Sequence, residues 1–92
     1  MEFIVKMEVH IPHTVSVQDA ANLIRIEKEY SQKLQHEGKW KKIWRIVGQY
    51  ANYSIFEVSS HQELHQILSN LPLFPYMKIE VTPLCDHPSA IN

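Results

Sequence analysis

Of the 92 residues, Glu27 has the placement best suited to proton chemistry. It lies three or four positions from Leu23, Ile24, Tyr30 and Ser31, the spacing that gathers side chains onto one helix face. A carboxylate on a face that meets a sheet loses water, and that loss lifts its pKa toward neutrality. A carboxyl group tuned in this way can take and return a proton near pH 7. The competing reading is structural: a glutamate at the edge of the apolar stripe that reaches water or pairs with a sheet lysine, since ion pairs also perturb pKa values.

A second feature is cationic. Lys39, Lys41, Lys42 and Arg45 are four of the nine lysines and arginines, gathered within seven positions and interleaved with Trp40 and Trp44. Such a cluster suits an anionic ligand, and an arginine can grip a carboxylate with two parallel hydrogen bonds. Aromatic residues on a sheet can also stack nucleobases, but the glycine-aromatic motif of that binding mode is missing. Lysines on a strand edge that discourages aggregation are the structural alternative.

The remaining reactive residues form no recognisable site. His61 and His65 stand four apart on an expected helix, without the intervening glutamate of a zinc-protease motif and without an evident third ligand. Cys85 and His87 have no ligand spacing, and Cys85 falls in a tail. Two glycines cannot build a phosphate-binding loop.

Composition bounds the function further. Ninety-two residues suit one domain, 1–92. A net charge of -1 argues against general nucleic-acid binding. With 45% hydrophobic and 21% charged residues the chain is of ordinary globular type. No apolar run approaches the ~20 residues that span a bilayer, so no membrane association is expected. MEFIVKMEVH, with its regular charges, is no signal peptide. A single cysteine fits a reduced, cytoplasmic setting. A chain this short buries only about 60–65% of its unfolded surface, and assembly with further copies is a usual remedy.

The elements that must position these residues follow from periodicity. Residues 2–10 alternate, with Phe3, Val5, Met7 and Val9 on one face, which reads as a strand. Ser16 and Asp19 form a weaker capping box for a helix from Val17 to Glu37, stopped by Gly38. Ala20, Leu23, Ile24, Ser31 and Leu34 line its apolar face, with Lys28 mostly on the wet side. Residues 39–47 alternate again, with Trp40, Lys42, Trp44 and Ile46 on one face and Lys41, Ile43, Arg45 and Val47 on the other. Residues 51–59 form the second arm of an antiparallel hairpin. Residues 61–70 read as a short helix with Leu64, Ile67, Leu68 and Leu71 on its apolar side. Tyr76 to Thr82 is a last strand, and 83–92 is a tail without periodicity. The order β-α-β-β-α-β predicts an α+β, ferredoxin-like fold: a four-stranded antiparallel sheet with two helices on one face. The other face has no cover within one chain.

GKWKKIWRIVGQYANYSIFEV (38–58), LPLFPYMKIEVTPLCDHPSAI (71–91) and the opening MEFIVKMEVHIPH closely resemble the muconolactone Δ-isomerase family. The likeness covers nearly the whole chain. It implies an enzyme of the β-ketoadipate pathway of aromatic breakdown, which converts muconolactone to β-ketoadipate enol-lactone. It further implies a homodecamer whose active sites form between subunits, with no cofactor and no metal. The tail, 83–92, would then pack on a neighbouring subunit.

On that resemblance the residues take expected roles. Glu27 matches the family's helix carboxylate and is the expected proton shuttle. Arg45, or failing that Lys42, would hold the substrate carboxylate; the two have opposite parity, so both cannot enter one helix–sheet interface. Tyr50, Asn52 and Ser54 are candidate donors to the lactone oxygen, with hairpin hydrogen bonding as the alternative. Trp40 and Trp44 would wall the pocket or a subunit interface. Two rivals remain open: the related 5-chloromuconolactone dehalogenase, and a non-catalytic ferredoxin-like module that binds an aromatic-derived acid. A haem-binding monooxygenase is a weaker fourth reading.

Overall fold

A computed structural model describes residues 1–92. The alternation at the start becomes β1 (Glu2–Val9), with Phe3, Val5, Met7 and Val9 buried and the residues between them only partly covered. Helix α1 (Val17–His36) begins where the Ser16 side chain accepts the Asp19 N–H at 3.1 Å. It ends at Glu37, and Gly38 takes a φ of +78° that a side chain would oppose. The hairpin follows as β2 (Trp40–Arg45) and β3 (Ala51–Glu57). Helix α2 (His61–Ser69) is capped by Ser60, which accepts the Glu63 N–H at 3.0 Å. A 3-10 turn at Phe74–Tyr76 leads into β4 (Met77–Leu84).

The strands pair in the order β2-β3-β1-β4, every pairing antiparallel. Phe3, Val5 and Met7 of β1 share one apolar cluster with Leu34 of α1 and with Leu64, Ile67 and Leu68 of α2. Both helices therefore cover the same sheet face, as the element order predicts. The Tyr30 hydroxyl donates to the Ile67 carbonyl at 3.2 Å and ties the helices together.

Two expectations are corrected. In β2, Trp40 pairs with Phe56 and Lys42 with Ile55, so two residues of β2 advance while β3 advances one, and Lys41 is the unpaired extra. This bulge reverses the parity that strict alternation assigns. Trp40 faces the helices together with Ile43 and Arg45, whereas Lys42 and Trp44 face the open side of the sheet. The expected sharing of one face by Trp40, Lys42 and Trp44 fails there. Lys41 turns toward Glu2, with its Nζ 3.2 Å from the carboxylate. The last strand also outruns its expected end. Pro83 pairs with Phe3 and Leu84 with Glu2, so the unpaired tail starts at Cys85. Proline is tolerated because β4 is an edge strand.

The open face carries Trp44 and Tyr53, which remain 52% and 42% exposed. Residues 80–92 are exposed throughout, and the chain extends 49 × 26 × 20 Å.

Gly38 supplies the first prediction. No atom lies within 4 Å of a Cβ added there, so the strain of a positive φ acts alone. Gly38→Ala should lower stability by about 1–2 kcal/mol, the cost of a left-handed L-residue. Denaturant midpoints of the two proteins measure it, and equal midpoints would contradict it.

Candidate active site

Between α1 and the sheet lies a cavity of about 350 Å³. Helix α1 supplies Ile24, Glu27, Lys28 and Ser31 to its wall, and the sheet supplies Met7, Trp40, Arg45 and Asn52 among others. Its position follows from the sequence pattern. Glu27 lies one helical turn from Ile24 and Ser31, and the bulge in β2 turns Trp40, Ile43 and Arg45 toward that same helix.

Glu27 is the half-buried acid of the cavity. Its Oε1 accepts the Leu73 N–H at 3.0 Å, and no other hydrogen bond from the chain reaches the carboxylate. Burial pushes its carboxyl above the ordinary 4.5, and the Leu73 N–H opposes that rise. An ionised carboxylate in an apolar wall is costly, so the group takes a proton more readily than a surface glutamate and holds it to higher pH.

Arg45 stands opposite Asn52 across the β2–β3 ladder. Its guanidinium lies 5.2 Å from the centre of the Tyr50 ring, a cation–π contact that steadies the charge at the cavity mouth. The Ser54 hydroxyl donates to Asn52 Oδ1 at 2.8 Å. That bond occupies the amide oxygen and leaves the Asn52 N–H groups as donors. Ser54 itself is fully buried and does not border the cavity. Its hydroxyl proton is committed to Asn52, so it reaches the cavity only through that amide.

The structure thus gathers Glu27, Trp40, Arg45, Tyr50 and Asn52, with Ser54 behind. It does not bring in Lys42 or Trp44, which lie on the opposite sheet face. Of the two cations weighed for a carboxylate, Arg45 is the one inside, as the parity argument requires, although the bulge decides which. Two contributors escape a sequence reading. Leu73 acts through its backbone, 46 residues from Glu27, and no side-chain pattern marks a backbone donor. Lys28, assigned to the wet side, borders the cavity; its adjacency to Glu27 is the only signal. His61 and His65 line a separate cavity of about 320 Å³ near the end of β4. No group of three or more metal-ligating side chains exists in the chain.

An acid tuned by burial, facing a guanidinium and an amide across a small cavity on a ferredoxin-like sheet, defines a small-molecule enzyme of the α+β class. Comparison with known proteins makes the class specific. The family model described as muconolactone delta-isomerase matches residues 1–90. A muconolactone Delta-isomerase of Cupriavidus pinatubonensis is 58% identical over 92 residues, with both chains fully covered. Muconolactone Delta-isomerase 1 of Acinetobacter lwoffii is 62% identical, covering 100% of this chain and 96% of its own. A crystal structure of muconolactone isomerase superposes with a TM-score of 0.95 at 53% identity, covering 100% of this chain and 96% of that one. A 5-chloro-2-hydroxyhydroquinone dehydrochlorinase from Burkholderia phenoliruptrix shares the fold, with a TM-score of 0.66 at 16% identity over 95% and 96% of the two chains. The chain belongs to the muconolactone delta-isomerase family.

The raised pKa of Glu27 has a consequence for stability. A carboxyl whose folded pKa exceeds its unfolded value contributes most below the unfolded value and loses that contribution as pH rises through the folded one. Relative to Glu27→Gln, the wild type should therefore lose stability as pH climbs from 4.5 upward, and the difference should be constant below that pH. Paired melting curves across pH 4 to 8 check the sign. A difference that stays flat or moves the other way would refute the buried-acid reading.

Proposed function

We propose that the chain carries out the reaction for which its family is named. Muconolactone is converted to its enol-lactone isomer by a 1,3-proton shift, with Glu27 as the shuttle. The observation that carries the proposal is Glu27 itself: a half-buried carboxylate with one oxygen tied to the Leu73 N–H and the other unbonded at a cavity wall.

The chemistry then balances without an external electron acceptor. Glu27 takes the proton from C4 of the lactone. The electron pair of that C–H bond becomes the C3=C4 bond, and the original double bond shifts to place negative charge on the lactone carbonyl oxygen. The carbonyl re-forms as C2 takes the same proton back from Glu27. Both carbons present one ring face to a single carboxyl group, so one residue serves both steps. A pKa displaced toward neutrality narrows the gap between the two roles.

The other groups follow from the substrate. Arg45, steadied by Tyr50, pairs with the carboxymethyl anion. Asn52, with its oxygen occupied by Ser54, turns its N–H groups to the lactone oxygen, where charge grows. Lys28 adds positive potential to the same wall. Tyr50 stands 46% exposed at the mouth, within reach of a bound anion. Trp44 and Lys42, on the far sheet face, belong instead to contacts with another copy.

Assembly is part of the proposal. Trp44 and Tyr53 on an uncovered sheet face, and a tail with no cover on its own chain, support a homo-oligomer of the decameric kind. The tail would lie on a neighbour and close the cavity mouth. No helix is long and apolar enough to cross a membrane, and the single, exposed thiol of Cys85 supports a cytoplasmic setting.

Two outcomes are expected. In heavy water, NMR should show the wild type forming enol-lactone, and Glu27→Gln should be slower by at least ~10²-fold, the low end of what general acid–base catalysis contributes. Untouched muconolactone, or a fully active variant, would defeat the proposal. Separately, dilution should lower the melting temperature, because contacts between copies complete the burial. A monomeric mass with a concentration-independent transition would remove the assembly.

A further inference from the structure

Lys28 is the one cation that helix α1 gives to the cavity wall. Six ion pairs form within the chain, and neither Lys28 nor Arg45 takes part in any of them. Both nevertheless border the cavity that holds Glu27. Lys28 is not spent on the acid beside it in sequence. Burial and the Leu73 N–H act on the Glu27 carboxyl, and no cation lowers it.

Helix geometry says on which side Lys28 stands. The Tyr30 hydroxyl donates to the Ile67 carbonyl, so that side of α1 faces α2. Glu27 reaches Leu73, in the loop after α2. Lys28 comes two residues before Tyr30, roughly 160° around the axis at 3.6 residues per turn. It therefore lies on the side of α1 turned away from α2. The strand that α1 approaches is β2, an outer strand of the sheet, and β2 carries Arg45. Lys28 and Arg45 are thus the helix lip and the strand lip of one opening. Both residues are exposed, as a cavity mouth requires.

The proposed substrate puts its charge at the same place. Its acid arm grows from C4, the carbon that Glu27 deprotonates, and one methylene separates C4 from the carboxyl group. With C4 at Glu27, the carboxylate comes to rest beside the next residue of the helix, on the side of β2. We infer that Lys28 binds the substrate carboxylate together with Arg45, one cation from the helix lip and one from the strand lip. This rests on the isomerase reading of the same site. A carboxylate has about four lone-pair positions, and a bidentate guanidinium fills two of them. The ammonium of Lys28 takes one of the others. Arg45 alone is an exposed charge, and a single exposed ion pair contributes little. A second cation anchors the arm from the opposite side and makes the site select acids over neutral lactones.

Lys28→Gln removes the charge and keeps a strong helix former. For muconolactone KM should rise by about 5- to 10-fold, the scale of one charge-assisted hydrogen bond discounted for its exposure. The turnover number should stay within about threefold, as for a group that holds substrate and transition state alike. Lys28→Arg keeps the charge and should restore KM to within about threefold of wild type. Lys33→Gln removes the same charge from α1 outside the cavity and should leave KM unchanged. An unchanged KM in Lys28→Gln would overturn the inference. An equal rise in Lys33→Gln would also overturn it, because the effect would then be a general field. So would a fall in kcat without a rise in KM, which would place Lys28 on Glu27 or on the dienolate. Binding without turnover gives a second readout. The Kd of muconolactone for Glu27→Gln, read from ¹⁵N shifts, should weaken by the same factor when Lys28→Gln is added. The uncharged methyl ester should not distinguish the two proteins, and an ester that weakens as much as the acid would overturn the inference. Failure of the parent reading looks different: wild type would then be inactive, and muconolactone would shift no cavity resonance.

Discussion

A carboxylate set into an apolar wall needs a partner, and Glu27 finds one in the Leu73 N–H at 3.0 Å. The rest of the site depends on that contact. It joins the middle of α1 to the loop between α2 and β4, and so makes the cavity a property of the whole domain. It also gives the two carboxylate oxygens different work. One is held by the backbone, and the other is left toward the cavity. Burial and the hydrogen bond pull the acidity of Glu27 in opposite directions, and burial prevails. A loop that shifted by an ångström would lose the bond and leave a poorly solvated charge, at a cost of about 1–3 kcal/mol or more. The proline-flanked Leu73 and the following 3-10 turn limit that shift.

The second constraint is the bulge in β2. A regular ladder would have put Trp40 with Lys42 and Trp44. The extra residue at Lys41 instead sends Trp40 inward with Ile43 and Arg45 and sends Lys42 outward. One residue of offset therefore sorts the cationic cluster into a cavity cation and a set of surface charges. It sorts the two tryptophans as well, into a buried wall and an exposed patch. The two sheet faces become chemically distinct as a result: a cavity holding an acid and a guanidinium between sheet and helices, and an exposed aromatic patch on the open side.

How much of this was legible varies by element. β1, β3 and α2 follow from alternation and capping alone, because half-buried strands and capped helices print their period onto the sequence. Glu27 was legible for the same reason: a charged residue inside a 3.6-residue apolar stripe is a conflict visible without coordinates. The support given by Ser54 to Asn52 was half legible, since the two share a strand face but nothing in their types says which one meets the cavity. The extension of β4 through Pro83 was missed because proline usually ends a strand, and only the edge position removes the objection. Assigning roles to the polar residues of the hairpin drew on likeness to a family, since spacing alone left hairpin hydrogen bonding as an equal reading.

By itself the sequence determined the element order, the sheet with two helices on one face, and a carboxylate on the buried side of α1. These are short-range matters, written in hydrophobic period, capping residues and turn chemistry. Only the tertiary structure decided which backbone donor holds Glu27, which cation enters the cavity, and that the Trp40 nitrogen stays unpaired. Each of those depends on registering segments far apart in the chain, where a single unpaired residue in a strand inverts every side chain beyond it, and no local pattern encodes that offset.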